Sequence, residues 1–98
     1  MLRHVVLLTW LEGTTPEQVA AVTAALDTLP GQIDAIKAYA HGPDLGLAAP
    51  RCDYAIVADF EDAEAWRTYD EHPAHNKARA DVIVPLVAER ASVQFEVR

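Results

Sequence analysis

The amino-acid sequence predicts an α+β fold of the split βαβ type, in which a four-stranded antiparallel sheet carries helices on one face. Three observations lead to this prediction. The 98 residues are too few for two separate cores, so residues 1–98 are expected to form a single domain. Strand-like and helix-like segments follow one another in the order strand, helix, strand, strand, helix, strand. Finally, two of the predicted strands are apolar on both faces.

The first half of the chain predicts a strand, a helix and a second strand. Residues 3–10 (RHVVLLTW) are rich in β-branched and aromatic side chains, which is typical of a strand. Thr15, Pro16 and Gln18 form an N-terminal helix signal with a capping box. The helix is predicted to end before Pro30-Gly31, and the second strand to cover 33–41. The apolar residues at helical spacing are Val19, Val22, Leu26 and Leu29.

The second half predicts a strand, an interrupted helix and a final strand. Asp62 is positioned to cap the helix that contains Trp66 and Tyr69. The predicted segments are, in chain order, an irregular loop over 42–52, a strand over 53–60, a helix interrupted at Pro73, a short helical segment over 74–86 that is bent at Pro85, and a strand over 91–97. Right-handed crossovers then place both helices on one face of the sheet, which is the ferredoxin-like arrangement.

The apolar character of both sheet faces predicts a second copy of the chain. In the first strand, His4, Val6, Leu8 and Trp10 alternate with Val5, Leu7 and Thr9. The helices can cover only one of these faces. Four strands spaced ~4.8 Å apart expose roughly 350 Å² on the other. Burying that area contributes on the order of 8 kcal/mol per subunit before association costs. We therefore expect a homodimer through the sheet face, forming a dimeric α+β barrel.

Composition and charge exclude several other partners. The formal net charge is −7 with no Lys/Arg cluster, which argues against binding of nucleic acid. No apolar run approaches the ~18 residues that cross a membrane, and the apolar stretch at the N-terminus is too short for a signal peptide. The single Cys52 cannot form a disulfide within the chain. These features predict a cytoplasmic protein.

Several motifs together resemble the stress-responsive A/B barrel (Dabb) family. The most specific is Tyr69-Asp70-Glu71-His72-Pro73-Ala74-His75, which is similar to the Y-x-x-H-P-x-H signature of that family. The other matching segments are the opening R-H-V-V-L-L, Leu29-Pro30-Gly31, Asp53-Tyr54-Ala55-Ile56-Val57, and residues 90–97. The resemblance implies a dimeric α+β barrel. A few members resemble or are polyketide cyclases that work without a cofactor, with the equivalents of His4, Tyr69 and His75 in the pocket and the last histidine as the base. A further pocket histidine of that branch is replaced here by Tyr54.

The residues themselves support acid–base chemistry. His75 is the candidate base, because imidazole titrates near neutral pH. The phenol of Tyr69 is suited to stabilising a developing enolate, and His4 to orienting His75 or binding a substrate oxygen. Tyr54, Trp10 and Trp66 are the predicted substrate-contacting residues.

Structural roles remain open for the same residues. His72 can cap the segment begun by Pro73, and His75 can bond a backbone carbonyl. Tyr69 and Trp66 have the spacing of core residues. His72 and His75 with Asp70 suggest a metal site, but Pro73 constrains their geometry, so no transition metal is predicted. Weak binding of Mg²⁺ by acidic loops stays open, and no cofactor is predicted. His41, beside a turn, is expected to be exposed, and Cys52 to be inert.

Three functional hypotheses follow. The first is a cofactor-free enzyme that performs cyclase- or isomerase-like proton transfer on a small, hydrophobic, oxygenated molecule. The second is a non-catalytic stable dimer that binds a hydrophobic ligand or acts in a stress response. The third is cofactor-free monooxygenase-like activity, since related barrels include such enzymes.

Overall fold

The computed structural model describes residues 1–98 as four strands and three α-helices in the predicted order. Their bounds are β1 (Leu2–Trp10), α1 (Pro16–Asp27), β2 (Ala38–Pro43), β3 (Tyr54–Phe60), α2 (Ala63–Glu71), α3 (Pro73–Ala78) and β4 (Val87–Glu96). A π-helical turn (Arg79–Ile83) and a 3₁₀ turn (Val84–Leu86) connect α3 to β4. The split βαβ prediction is therefore confirmed.

The sheet is antiparallel throughout and has the strand order β2-β3-β1-β4. The first strand, β1, therefore lies inside the sheet, and the last strand, β4, is hydrogen-bonded to it and forms one edge. In the β1–β3 pair, His4 lies opposite Ala58 and Leu8 opposite Tyr54. Cross-strand partners share a face, so the alternating residues of β1 and β3 that begin with His4 and Tyr54 lie on the same side.

The helices begin at the residues that the sequence indicates. Thr15 and Gln18 form the complete capping box of α1, with Pro16 as the first helical residue. The side chain of Asp62 accepts the backbone N–H of Ala65 and caps α2. Both helices pack on one side of the sheet, where Val6, Leu8, Ile56 and Phe60 meet Val22, Leu26 and Tyr69 in a single core.

The opposite face of the sheet, which we call the open face, has no covering element. It carries Val5, Leu7, Ala55 and Val57 from the two central strands, between the buried residues of the other face. In β4, Val93 and Phe95 pair with Val5 and Arg3 on this side, and they are 57% and 48% exposed. Arg90, Ser92 and Gln94, which alternate with these residues along β4, instead project toward the helix side. The edge strand thus turns its apolar side to the uncovered face.

Three element boundaries differ from the predicted ones. The second strand covers 38–43 rather than 33–41, because hydrogen-bonded turns follow α1 and carry Ile33 into the core. The last strand begins at Val87 rather than 91, since pairing with β1 continues through Arg90 and Glu89. The helical segment after Pro73 changes to a π turn at Arg79 and ends before Val87.

No helix of the structure combines the length and apolar character that a membrane span requires.

Candidate functional site

The three predicted catalytic residues come together around one cavity on the helix side of the sheet. His4 reaches it from β1, Tyr69 from α2 and His75 from α3. The cavity has a volume of about 260 Å³ and lies between the sheet and the segment that connects α3 to β4. Its other lining residues are Val6, Leu8, Ile56, Asp70, Arg79, Ile83, Val84, Val87 and Arg90. Titratable groups and an apolar surface therefore share one enclosed space, as in most small-molecule sites.

A break between α2 and α3 positions His75. His72 has extended backbone angles (φ −66°, ψ 134°), which end α2, and its Nδ1 accepts the backbone N–H of Ala74 at 3.0 Å to cap α3. Pro73 is the first residue of α3, where its missing N–H costs nothing. The bend returns the chain over α2 and stacks the His75 ring on the Tyr69 ring, with centroids 4.1 Å apart. The capping role expected for His72 is confirmed.

The hydrogen bond of His75 defines its tautomer. Nδ1 lies 3.2 Å from the carbonyl oxygen of Asp70, and a carbonyl can only accept, so Nδ1 carries the proton. Nε2 is then the basic nitrogen of a ring that lines the cavity. Burial is the main factor that lowers the pKa of His75 below its usual value. The side chain is therefore a neutral base at physiological pH.

His4 is held in the complementary tautomer. The side-chain amide Nε2 of Gln94 donates to Nδ1 of His4 at 2.9 Å, which leaves the proton on Nε2. Burial lowers the pKa of His4 and the positive charge of Arg90 adds to the effect. A neutral His4 with its proton on Nε2 is a hydrogen-bond donor. The two histidines thus offer one donor and one acceptor to the same cavity.

The phenol of Tyr69 has a partner that the sequence analysis missed. Its hydroxyl lies 3.0 Å from the hydroxyl of Tyr39 on β2. Burial raises the pKa of both phenols, that of Tyr39 far above its usual value. Both are therefore protonated at neutral pH. When Tyr39 donates, the Tyr69 proton is available for a ligand in the cavity.

The three predicted substrate-contacting residues do not line this cavity. Tyr54 is buried, and its hydroxyl lies 2.8 Å from both Thr23 Oγ1 and His41 Nδ1. Trp10 packs on Tyr54, with ring centroids 5.7 Å apart. Trp66 lies beside His4, with ring centroids 5.8 Å apart. Contact of these residues with a substrate remains a prediction.

His41 is not exposed as predicted. Its side chain is 6% exposed and bridges Tyr54 to Asp27, with Nε2 2.9 Å from Asp27 Oδ1. The prediction was wrong because β2 extends through Pro43, which carries His41 into the sheet instead of a turn. Its imidazole therefore belongs to a polar chain beneath α1 and lies outside the cavity.

Two arginines at the cavity were missed, and Asp70, considered from the sequence only as a metal ligand, lies beside them. Arg79 Nη1 lies 3.7 Å from Asp70 Oδ1, and Arg79 Nη2 donates to Asn76 Oδ1 at 2.7 Å. The guanidinium of Arg90 forms no ion pair and no side-chain hydrogen bond. Only the strand register could have revealed Arg90, because it reaches the cavity from a position opposite Leu8.

No other part of the chain offers a comparable set of groups. No three His, Cys, Asp or Glu side chains lie close enough together to hold a metal ion. A larger, shallower cleft of about 650 Å³ runs from the open face to the loop after β2. Its charged groups, Asp44 and Arg51, pair with each other at 3.2 Å, and it contains no histidine. The cavity around His75 is thus the candidate functional site.

Comparison with known proteins identifies the family. Residues 2–97 match the Stress responsive A/B Barrel Domain family. The chain belongs to this family. A stress-response A/B barrel domain-containing protein of Arabidopsis thaliana is 29% identical over 75 residues, which cover 74% of this chain and 69% of that protein. The resemblance seen in the sequence motifs is therefore confirmed.

Solved structures of a dimeric ferredoxin-like protein and of two enzymes share the fold. A dimeric ferredoxin-like protein of unknown function from Thermobifida fusca has a TM-score of 0.91 and 45% identity, over 98% of this chain and 90% of its own. The hydroxynitrile lyase of Passiflora edulis has a TM-score of 0.84 and 17% identity, over 99% and 93%. A cofactor-independent oxygenase of Streptomyces nogalater has a TM-score of 0.75 and 15% identity, over 99% and 92%. At these low identities the two enzymes show the fold alone.

Proposed function

We propose that this A/B barrel protein is a cofactor-independent enzyme that performs proton transfer, of the cyclase or isomerase type, on a small oxygenated molecule with an apolar body. The observation that carries the proposal is the pair of complementary imidazoles at one apolar cavity. His75 presents a basic Nε2 because Nδ1 is bonded to the Asp70 carbonyl, and His4 presents an N–H because Gln94 occupies Nδ1. Neutral imidazoles are suited to taking up and returning a proton near pH 7.

The proposed reaction needs only groups that the cavity contains. Nε2 of His75 removes a proton from a carbon next to a carbonyl, and the C–H electron pair forms the C=C bond of an enolate. The negative charge moves to the carbonyl oxygen, where the Nε2–H of His4 or the hydroxyl of Tyr69 stabilises it by a hydrogen bond. The imidazolium then returns the proton to the rearranged or ring-closed product. No electrons are gained or lost overall, so no cofactor is required.

The relatives of known activity support an enzymatic role without specifying the reaction. A hydroxynitrile lyase and a cofactor-independent oxygenase share this fold, so the scaffold is compatible with cofactor-free catalysis. Oxidation is a second candidate reaction, because a buried base that generates a substrate carbanion also suits it. The donor–acceptor pair of histidines favours proton transfer as the common first step.

A ligand screen followed by isotope exchange tests the proposal. Thermal shift is measured for the wild type, His75→Ala and His72→Asn against small aromatic, polyketide-like and hydrophobic acid compounds. A ligand at 100 times its dissociation constant stabilises by about 2.7 kcal/mol, which raises Tm by several degrees. Carbonyl compounds that bind are then incubated in D₂O, and deuterium incorporation next to the carbonyl is followed by NMR.

The variants separate catalysis from simple binding. We expect the wild type to catalyse deuterium incorporation and His75→Ala to lose it. The control His72→Asn removes a histidine outside the cavity while keeping a side chain that caps α3, and it should retain exchange. Ligands that bind equally to the wild type and His75→Ala, with no exchange by either, would favour the non-catalytic ligand-binding dimer.

We also propose that the chain forms a homodimer through its open face. The relatives of known structure include dimers, and Val93 and Phe95 are largely exposed on this face. A second copy placed on a two-fold axis would bury these residues against the same face of its partner. Sedimentation equilibrium tests this: a mass of one chain at every concentration would refute it.

A further inference from the structure

The net charge of the cavity lining is opposite in sign to the net charge of the whole chain. The protein has a formal net charge of −7, with eight basic and fifteen acidic residues. The cavity is nevertheless lined by Arg79 and Arg90 and by a single carboxylate, Asp70. With both histidines neutral, the lining carries one net positive charge. The cavity lining therefore carries a local excess of positive charge on an otherwise acidic protein.

Arg79 already has partners within the protein. Its Nη2 donates to Asn76 at 2.7 Å, and its Nη1 lies 3.7 Å from Asp70. The second distance is long for a hydrogen bond, so the pair with Asp70 is an electrostatic contact that leaves donor capacity unused. These contacts hold the guanidinium in place beside His75.

Arg90 has no such partner. It lies on β4 opposite Leu8, on the helix side of the sheet, and its side chain lines the cavity. Its exposed position keeps the charge hydrated, so the protein gains little stability from it. The positive charge also opposes protonation of His4 and His75. An arginine without an internal partner at the mouth of an apolar cavity is the arrangement expected for binding an anion.

We propose that Arg90, assisted by Arg79, binds the carboxylate of an organic acid whose apolar body occupies the cavity. This inference rests on the proposed function and names its class of substrate. The guanidinium presents two parallel N–H donors, which match the two oxygens of a carboxylate. The apolar body then contacts the apolar side chains that line the cavity, which are Val6, Leu8, Ile56, Ile83, Val84 and Val87. Anchoring the carboxylate at the mouth holds the rest of the molecule beside the two histidines.

Binding of a matched acid and amide tests the inference. Phenylacetate and phenylacetamide have nearly the same shape and differ in charge. Their dissociation constants are measured by NMR titration on the wild type, Arg90→Gln, Arg90→Lys and Arg67→Gln. Arg67→Gln is the control, because it removes the same charge from the exposed surface of α2, where Arg67 pairs with Glu64. His75 and His4 are unchanged in all four proteins.

We expect the wild type to bind phenylacetate about 10-fold more tightly than phenylacetamide, as charge-assisted hydrogen bonds at a partly exposed site provide. Arg90→Gln should reduce this ratio to near one, Arg67→Gln should preserve it, and Arg90→Lys should retain only part of it, since a lysine cannot bind in the bidentate manner. The advantage of the acid should also decrease as salt is added.

The other outcomes are distinguishable. Equal binding of acid and amide by the wild type would overturn the inference and leave the proposed function standing. An equal loss of acid binding in Arg67→Gln and Arg90→Gln would overturn it too, because the effect would then come from overall charge. If neither probe binds the wild type and the ligand screen also yields nothing, the proposed function fails together with the inference.

Discussion

The hydrogen bond between Tyr39 and Tyr69 allows the most direct test of the site, because it requires no knowledge of the substrate. The perturbation is a double-mutant cycle with Tyr39→Phe, Tyr69→Phe and the double variant. Each change removes one hydroxyl and keeps the ring contacts, which include the stacking of Tyr69 on His75. The cycle therefore isolates the energy of the 3.0 Å contact between the two hydroxyls.

The structure sets the expected magnitudes. Tyr39→Phe leaves the Tyr69 hydroxyl at the cavity, where water can replace its partner, so the cost should be about 1 kcal/mol. Tyr69→Phe leaves the Tyr39 hydroxyl with no other partner in a region where burial strongly raises its pKa, so the cost should be about 2 kcal/mol. Once one hydroxyl is removed, removal of the second costs less stability, because the hydrogen bond between them is already lost. The double variant should therefore lose about 2 kcal/mol rather than the sum.

Urea and thermal unfolding at one fixed protein concentration provide the measurement. A fixed concentration is needed because the proposed dimerisation would make Tm concentration-dependent. For a domain of this length, 1 kcal/mol corresponds to roughly 4–8 °C in Tm. The control cycle combines Tyr69→Phe with Thr23→Val, which removes a hydroxyl from the separate network around Tyr54. A coupling energy within about 0.5 kcal/mol of zero for the tyrosine pair would refute the idea that Tyr39 orients Tyr69.

Three further predictions concern pH dependence, assembly and the role of His41. Burial lowers the pKa of His4 and His75, so the unfolded chain binds more protons than the folded protein below about pH 6.5. The free energy of unfolding should therefore fall as the pH drops from about 7 through the folded pKa values. A flat urea-unfolding profile between pH 5 and 7.5 would contradict this. Val93→Asp should convert the proposed dimer to a monomer in sedimentation, whereas the control Ser92→Asp, on the opposite side of β4, should not. A dimer retained by Val93→Asp would exclude the open face as the interface. His41→Ala should destabilise the protein by about 2–3 kcal/mol in urea unfolding, since it leaves the buried hydroxyl of Tyr54 with only one partner and opens a cavity. A decrease of less than about 0.5 kcal/mol in the free energy of unfolding would show that the polar chain beneath α1 does not stabilise the fold.

The sequence predicted those parts of the fold that depend on neighbouring residues. The capping box at Thr15, the cap at Asp62 and the break at Pro73 each use contacts within about four positions, and all three occur as expected. The grouping of Tyr69 with His75 was also predictable, because both belong to one short motif. The alternation in β1 and β3 indicated two apolar faces, and the register shows which of them the helices cover.

The remaining features depend on contacts between distant parts of the chain. Tyr39 acquires its role from α2, 30 positions away, and His41 from Tyr54 and Asp27. Arg90 reaches the cavity only because pairing with β1 extends four residues further than the pattern of apolar residues suggested. Glu89 has weak strand propensity, and its pairing with Thr9 of β1 overrides it. Patterns of neighbouring residues in the sequence do not indicate contacts of this kind.

The position of β4 also determines when the site can form during synthesis. Gln94 holds His4 from 90 positions further along the chain, and Arg90 and Val87 complete the wall of the cavity. A nascent chain in which β4 has not yet been made contains both histidines and the phenol but cannot enclose a ligand between them. Contacts of such long sequence separation also slow folding. The candidate site can therefore form only after β4, the last strand of the chain, has been synthesised and has paired with β1.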